Sequence, residues 1–414
     1  MPSSPRRVRI ATGARAPRPA APVAAPLAAP VAAPLAACLV ALGCSGATGP
    51  SGPALVPSSQ PVVTASSSPT PAPSAAPTTA PNVGPVPLSF EAKRLGGVFL
   101  GGDPPSVLFL DSTSFVVETS GVAELCDLAS WKSVRALPTG LEGWTAAANG
   151  KLLAALDDDE AVLVDPATGN ERGRLSVGAG SIALSADGAS LVVVSATAFD
   201  RFKGSVWSTA AGTASPKRRV DGTQAVPGTL GAVLAPDKVA FLASATPTGP
   251  QLFVESQPPQ RLDLEPPTRF TFAPDGAAAV VSGRKEDKVI VVVLELPTGR
   301  ERVRFEVPPP AVQASDAAPP HVRSLSVSNN AARVALTVGP ANGPGALVVF
   351  DGKTAAPLAR HDQPKEESLE ASTLLIAPDG KHTLWIRRAA PTTPTDSTTK
   401  SRPRPHEIAL ATLP

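Results

Sequence analysis

One cassette of sequence returns along most of the chain and restricts its fold more than any other feature. Each copy holds an apolar run, a turn built on Asp or Asn, a second run, a loop, a third run, and a polar turn before a fourth run. Asp-Gly and Asn-Gly favour tight hairpins because Gly and Asn tolerate a positive φ. The central turn residues of the copies are Asp111, Asn149, Asp187, Asp237, Asp275, Asn330 and Asp379.

The spacing of these turns indicates repeated supersecondary units. The steps from 111 to 149, from 149 to 187 and from 237 to 275 are each 38 residues, and the longer steps contain insertions such as 308–320 and 199–204. Between the turns lie continuous, β-branched apolar runs of strand length, which predict strands covered on both faces. They include 191–195 (LVVVS), 289–296 (VIVVVLEL), 347–350 (LVVF) and 374–376 (LLI). Four antiparallel strands every 40 to 50 residues or so are typical of a β-propeller blade.

The sequence therefore predicts an all-β fold over 88–414, a β-propeller of seven four-stranded blades, with six or eight blades as alternatives. The last copy supplies only three strands, at 373–376, 382–387 and 407–413. Residues 88–95 precede the first full cassette and can supply the fourth. Such a closure would hide the edge strands that an open ring exposes.

The turn motifs resemble those of bacterial WD40-like and YVTN-type β-propellers. Blades of those proteins carry an SPDG-like turn after the innermost strand and a D-x-x-T-G-like turn before the outermost one. The second motif recurs in this chain at 165–169, 296–299 and 351–354, and the resemblance covers essentially all of 88–414. The Gly-His and Trp-Asp dipeptides of eukaryotic WD40 blades are absent, and a Tyr-Val-Thr-Asn stretch cannot occur because the chain has no Tyr.

Residues 1–44 predict an export signal, with an arginine-bearing start, an apolar segment and small residues before a cysteine. Only 35–43 (LAACLVALG) is free of proline and apolar, which suffices for a signal peptide and is too short to span a bilayer. The stretch Ala41-Leu42-Gly43-Cys44 resembles the lipobox of bacterial lipoproteins, which implies lipidation of Cys44. Cys38 is the competing position; an ordinary signal peptide and an uncleaved anchor are the other interpretations.

Residues 45–87 predict a disordered tether rich in Pro, Ser, Ala and Thr. This segment carries no charge, and 19 of the 49 prolines of the chain lie before residue 88. Such a composition cannot bury enough apolar surface to offset the entropy of ordering. Two or three acyl chains give stable anchoring, so the expected location is the bacterial cell envelope, at the outer membrane or the periplasmic face.

The distribution of charge argues against binding of nucleic acid. The formal net charge is +2, but five arginines precede residue 19 and no other charged residue occurs before Glu91. Residues 88–414 hold the remaining 32 basic residues against all 35 acidic ones. A nucleic-acid binder needs a concentrated basic surface, and the predicted folded domain is mildly acidic.

Two charged clusters are candidate sites. The acidic one, a weak candidate for calcium with a solvated hairpin turn as the alternative, comprises Asp157, Asp158, Asp159 and Glu160. The basic one could contact an anionic glycan or a lipid headgroup, with a solvated edge strand as the alternative, and comprises Arg201, Lys203, Lys217, Arg218 and Arg219. Cys126 is expected to be a buried structural residue. The four histidines are expected at the surface.

No catalytic motif, metal site or cofactor-binding loop is recognisable in the sequence. We therefore predict a lipid-anchored propeller that acts as a non-enzymatic binding platform for an envelope protein or polymer, without a cofactor. The alternative is a hydrolase or lactonase with its active site at the central channel. A carboxylate cluster with a bound metal at the channel mouth would favour the enzyme, and apolar or aromatic loop patches without titratable neighbours would favour binding.

Overall fold

The computed structural model describes ten stretches of the chain. They are residues 85–93, 105–198, 201–210, 212–222, 229–245, 249–311, 319–340, 344–363, 373–388 and 406–414. The predicted signal and almost all of the predicted tether lie outside the described residues. Among the described residues, no helix has the length and apolar character needed to cross a membrane.

Seven sheets follow one another along the chain, so the predicted seven blades are confirmed. Blade 1 contains β3 (Ser106–Phe109), β4 (Ser114–Thr119), β5 (Val122–Asp127) and β6 (Lys132–Ala136), and blade 2 contains β7 (Glu142–Ala146), β8 (Leu153–Asp157), β9 (Glu160–Val164) and β10 (Glu171–Ser176). Blade 3 contains β11 (Ser181–Leu184), β12 (Ser190–Ala198), β13 (Arg201–Ser208) and β14 (Arg218–Gly222). Blade 4 contains β15 (Thr229–Ala235), β16 (Lys238–Ala245), β17 (Gly249–Val254) and β18 (Gln260–Arg261).

Blades 5 to 7 complete the ring. Blade 5 contains β19 (Glu265–Phe272), β20 (Ala278–Lys285), β21 (Lys288–Glu295) and β22 (Glu301–Glu306). Blade 6 contains β23 (His321–Val327), β24 (Arg333–Gly339), β25 (Ala346–Asp351) and β26 (Pro357–Asp362). Blade 7 contains β27 (Thr373–Ile376), β28 (His382–Arg388) and β29 (His406–Thr412). Two short N-terminal strands, β1 (Val86–Pro87) and β2 (Glu91–Lys93), join blades 6 and 7. A single 3-10 turn, Asn329–Ala331, separates β23 from β24 in the described chain.

The buried side chains explain why the strands lack a polar face. Among the described residues they form seven clusters, and each cluster lies between two neighbouring blades. In β21, Val291 and Val293 pack towards blade 6, while Val292 and Leu294 pack towards blade 4. Successive side chains of a strand point to opposite faces, so a central strand between two blades must be apolar throughout.

The first turn of the cassette adopts the expected hairpin geometry. Gly150, Gly188, Gly276 and Gly380 have φ between +68° and +75°. The preceding Asp or Asn accepts a hydrogen bond from the backbone N–H two residues on, for example Ala189 N–H to Asp187 Oδ1 at 2.9 Å. The same contact recurs at Asn149, Asp275 and Asp379. Side chain and glycine together therefore set each turn locally.

The predicted closure of the ring is confirmed and is more extensive than expected. Strand β2 pairs antiparallel with β29, as the missing fourth strand of blade 7. Strand β1 pairs parallel with β26 as a fifth strand of blade 6, so the ordered sheet begins two residues before the predicted boundary at 88. Residues 86–93, which we call the N-terminal clasp, thus join the two neighbouring blades.

Candidate functional site

The first strands of all seven blades line a cavity at the centre of the ring. Its volume is about 240 Å³. The lining residues come from the last positions of these strands and from the turns that follow, so the cavity opens on the face that carries the Asp and Asn turns. Leu108, Thr145, Ala183, Ala232, Phe272, Ser326 and Leu375 represent the seven blades.

The wall of this cavity is apolar. Its polar side chains are the hydroxyls of Thr145, Thr271 and Ser326, and no Asp, Glu, His, Lys or Arg is among the described residues that line it. Ser326 already accepts a hydrogen bond from the backbone N–H of Ile376 in the next blade, at 3.1 Å. The described wall therefore presents no titratable side chain as a general acid or base and no carboxylate or imidazole as a metal ligand.

Asp187 and Asp111, in turns that follow the lining strands, bond to their own turns. Asp187 accepts hydrogen bonds from the Ser185 hydroxyl, at 2.6 Å, and from the Ala189 N–H. These bonds, the hydroxyl first, lower the pKa of Asp187 below its ordinary value. Asp111 likewise accepts from the N–H groups of Thr113 and Ser114. Both carboxylates thus act as structural caps of their turns.

Neighbouring turns are also bonded to each other around the mouth. The Asn149 side chain donates to the backbone carbonyl of Asp187 at 2.8 Å. The N–H of Asn329 donates to the carbonyl of Pro378 at 2.9 Å. Arg302 donates to the backbone carbonyl and the side-chain oxygen of Asn330 at 2.6 and 2.7 Å. These bonds join blade 2 to blade 3, blade 5 to blade 6 and blade 6 to blade 7 on the face where the apolar cavity opens.

The acidic cluster lies at the hairpin between β8 and β9, as the sequence predicted. The guanidinium of Arg174 forms ion pairs with Asp157 at 2.6 Å and with Glu160 at 3.1 Å. Asp158 and Asp159 are exposed, and Asp158 takes a positive φ of 52°. Among the described residues, no group of three or more His, Cys, Asp and Glu is placed to hold a metal ion.

We expect millimolar calcium to leave the melting temperature of the chain unchanged, because Arg174 already bonds to two of the four carboxylates. Thermal melts with calcium and, as the control, magnesium measure this. A rise in melting temperature that only calcium produces would contradict the expectation and establish a metal site at this hairpin.

Cys126 is fully buried in the cluster between blades 7 and 1, where Phe115 and Trp131 also pack. Burial, and after it the negative charge of Glu124, raises the pKa of the Cys126 thiol to about 12. A thiol that stays protonated is a poor nucleophile. This placement agrees with the structural role expected from the sequence.

Cys126 should resist alkylation in the folded chain and react fully in urea. We expect iodoacetamide at about pH 8 to leave it unmodified, because the thiolate is the reactive form. Mass spectrometry of the Cys126 peptide separates it from Cys38 and Cys44. Since the raised pKa favours the neutral thiol in the fold, its contribution to stability is lost as pH rises from 9.0 towards about 12. Rapid alkylation of the folded chain would show that the residue is accessible.

The expectation of four surface histidines is wrong. His406 is only 4% exposed in β29, and the His361 ring contacts Phe90 and Trp385 at centroid distances of 5.5 and 5.6 Å. His321 and His382 are partly buried in β23 and β28. The neighbouring Pro, Asp and Arg residues suggested loops, but the side chains lie on strands where blades meet.

The structure divides the basic cluster of blade 3. Lys203 and Arg219 line a groove beside blade 2, whereas Arg218 bonds to Glu255 of blade 4 at 3.0 Å. Lys217 lies just before β14, and its charge helps to lower the pKa of Asp187. The side chain of Arg201 lies outside the described residues, as do the lipidation candidates Cys44 and Cys38.

The chain matches no protein-family model and no curated protein. Solved structures share its fold at low identity. The RRP9 WD40 repeats align at 12% identity with a TM-score of 0.52, over 79% of this chain and 100% of that one. U3-55K aligns at 12% identity with a TM-score of 0.50, over 76% and 98%. An oligogalacturonate lyase in complex with manganese aligns at 16% identity with a TM-score of 0.47, over 80% and 97%. The fold is thus a β-propeller, as in the RRP9 WD40 repeats.

Proposed function

We propose that this chain is a lipid-anchored propeller of the bacterial cell envelope that binds another envelope component without catalysing a reaction. The observation that carries the proposal is the wall of the central cavity, which all seven blades build from apolar and hydroxyl side chains. A hydrolase at this position would need titratable groups or metal ligands on that wall. The apolar wall favours binding over the alternative of a channel enzyme.

The cavity is suited to one apolar side chain of a protein partner. Its volume of about 240 Å³ is below the range of roughly 300–1,000 Å³ that is usual for small-molecule pockets. The Asp and Asn turns beside it supply a polar rim, and an apolar centre with a polar rim is the usual organisation of a protein interface. The partner is therefore expected to insert an aliphatic or aromatic residue into the mouth.

Crosslinking in cells, followed by mass spectrometry, tests the platform role. The variant Ala148→Asp places a carboxylate at the cavity wall, and Ala167→Asp places the same group on an exposed turn of the same blade. We expect the crosslinked neighbour to be lost in the first variant and retained in the second. Recovery of no neighbour by the native chain, or equal recovery by both variants, would contradict the proposal.

The anchoring is tested separately by labelling with radioactive palmitate. The variant Cys44→Ser should lose the label, because the residue after the lipobox-like Ala41-Leu42-Gly43 would carry the acyl chains. Cys38→Ser is the matched control and should retain it. Full labelling of the Cys44→Ser variant would overturn the assignment of Cys44, and loss of label in Cys38→Ser alone would move the modification to Cys38.

A further inference from the structure

Blade 3 presents two different faces to its neighbours. Val192, Val194 and Val206 point towards blade 4, where they pack with Leu234 and Val239. The opposite face points towards blade 2, and its inner part is also apolar: Leu191, Val193 and Trp207 pack with Leu163 and Leu175. Both inner surfaces therefore have the apolar character expected between blades.

The outer part of the face towards blade 2 is polar instead. The register pairs Ser195 with Lys203 and Ser205 with Arg219, so these four side chains share the face of Val193 and Trp207. Lys203 and Arg219 are diagonal neighbours on adjacent strands, a separation of about 7–8 Å. Two cations and two hydroxyls thus form one compact group on the sheet surface.

This polar group lines a groove of about 500 Å³. Val177 and Gly178, which follow the last strand of blade 2, form one wall, and residues 214–216 of the loop between β13 and β14 form the end. Lys203 and Trp207 are four residues apart in β13, which corresponds to roughly 13 Å along the strand. The groove is therefore an elongated recess, within the usual size range for a ligand site.

Trp207 links the apolar and polar parts of the groove. Its side chain is 7% exposed and packs in the cluster between blades 2 and 3. Its indole N–H donates to the Ser205 hydroxyl at 2.8 Å. Because the Ser205 oxygen accepts that bond, the hydroxyl proton is directed elsewhere. Ser205 is thus held beside Arg219 as a second donor.

No described carboxylate neutralises the cations of the groove through an ion pair. Arg218, one residue from Arg219, faces blade 4 and bonds to Glu255. In the described part of the chain, no ion pair joins Lys203 or Arg219 to a carboxylate.

We infer that this groove binds a linear glycan that carries carboxylate groups. Lys203 and Arg219 would hold the carboxylate by charge-assisted hydrogen bonds, which are the strongest that side chains make. Ser195 and Ser205 would bond to sugar hydroxyls beside it. A recessed groove between two blades fits a single extended chain, whereas a membrane surface presents its headgroups in a plane. The groove is separate from the central cavity, so this inference does not rest on the proposed platform role.

Binding of defined oligosaccharides to the immobilised full-length chain tests the inference. The probes are alginate hexamers, which are linear uronic acids, and maltohexaose, a neutral hexamer of similar length. Glycerol 3-phosphate represents the headgroup of a phospholipid. We expect the alginate hexamer alone to bind with measurable affinity, and its affinity to fall as salt rises.

The double variant Lys203→Gln and Arg219→Gln should weaken alginate binding about tenfold or more, because it removes both charged donors to the carboxylate. The matched control, Lys353→Gln with Lys381→Gln, removes the same charge from exposed positions in blades 6 and 7 and should not change the affinity.

Three results would overturn the inference. The first is equal binding of alginate and maltohexaose, which would show that the carboxylates are not recognised. The second is the same affinity in the groove variant and the matched control. The third is saturable binding of glycerol 3-phosphate in the absence of alginate binding, which would assign the groove to a phosphate headgroup.

Discussion

Deletion of the N-terminal clasp, residues 86–93, is expected to lower the melting temperature of the propeller by at least roughly 5 °C. The deletion removes the outermost strand of blade 7 and the fifth strand of blade 6. It also removes the hydrogen bond from the Leu88 N–H to the Arg360 carbonyl, at 2.7 Å, and the packing of Phe90 on Trp385, at a centroid distance of 5.2 Å. Both blades would then expose unpaired strand edges.

A point substitution distinguishes the contribution of the clasp's packing from a general effect of shortening the chain. Leu88 is 5% exposed in the cluster between blades 6 and 7, whereas Val86, two residues earlier in the same clasp, is 48% exposed. We expect Leu88→Ala to lower the free energy of unfolding by about 2–4 kcal/mol. Val86→Ala is the matched control and should change it by no more than about 0.5 kcal/mol.

Denaturant titration of the two variants, alongside the melts of the deletion, measures these effects. An unchanged melting temperature after deletion of the clasp would show that the ring closes by other contacts. Equal destabilisation by Leu88→Ala and Val86→Ala would show that burial of Leu88 does not hold the clasp in place.

The second large effect is expected from Gly352→Ala, in the turn between β25 and β26. A Cβ at this position would lie well inside van der Waals contact of the Ala331 carbonyl oxygen, which is a backbone atom. The Gly352 N–H also donates to the Ala332 carbonyl at 3.0 Å, so the two turns of blade 6 are held together. The backbone must move to admit the methyl group, and we expect the free energy of unfolding to fall by about 3 kcal/mol.

Gly173→Ala is the matched control for this prediction. Gly173 lies at an irregularity in the register of β10, and a Cβ there would meet no heavy atom within 4 Å. Its substitution should be neutral or slightly stabilising, because alanine lowers the entropy of the unfolded chain. Chemical denaturation compares the pair. A Gly352→Ala variant as stable as Gly173→Ala would show that the two turns of blade 6 separate at little cost.

Much of the fold could be predicted because its signals are local. The Asp187 turn needs only an Asx side chain and a glycine at positive φ, and both are written in four consecutive residues. The missing fourth strand of the last cassette pointed to the segment around Glu91, since a propeller that lacks one strand exposes an edge. The parallel strand at Val86 could not be predicted by counting the strands of each cassette. Its pairing depends on the outer edge that blade 6 presents.

The candidate sites were less predictable because they depend on register and on neighbouring blades. Asp157 and Glu160 suggested a cation site, but the sequence did not show that Arg174, on a different strand, would reach both. Arg218 and Arg219 are adjacent in sequence and equal in charge, yet one bonds to blade 4 and the other lines the groove beside blade 2. Alternation along the strand sends them to opposite faces.

The sequence by itself determined the repeated unit and the chemistry of the turns and favoured seven blades, since each follows from the pattern of a few neighbouring residues. Only the tertiary structure decided that the central wall is apolar, that His406 is buried, and that Lys203 and Arg219 share one groove. The physical reason is that each of these features joins residues from several strands or blades. Their proximity arises from strand register and ring closure, which bring together positions that are far apart in the chain.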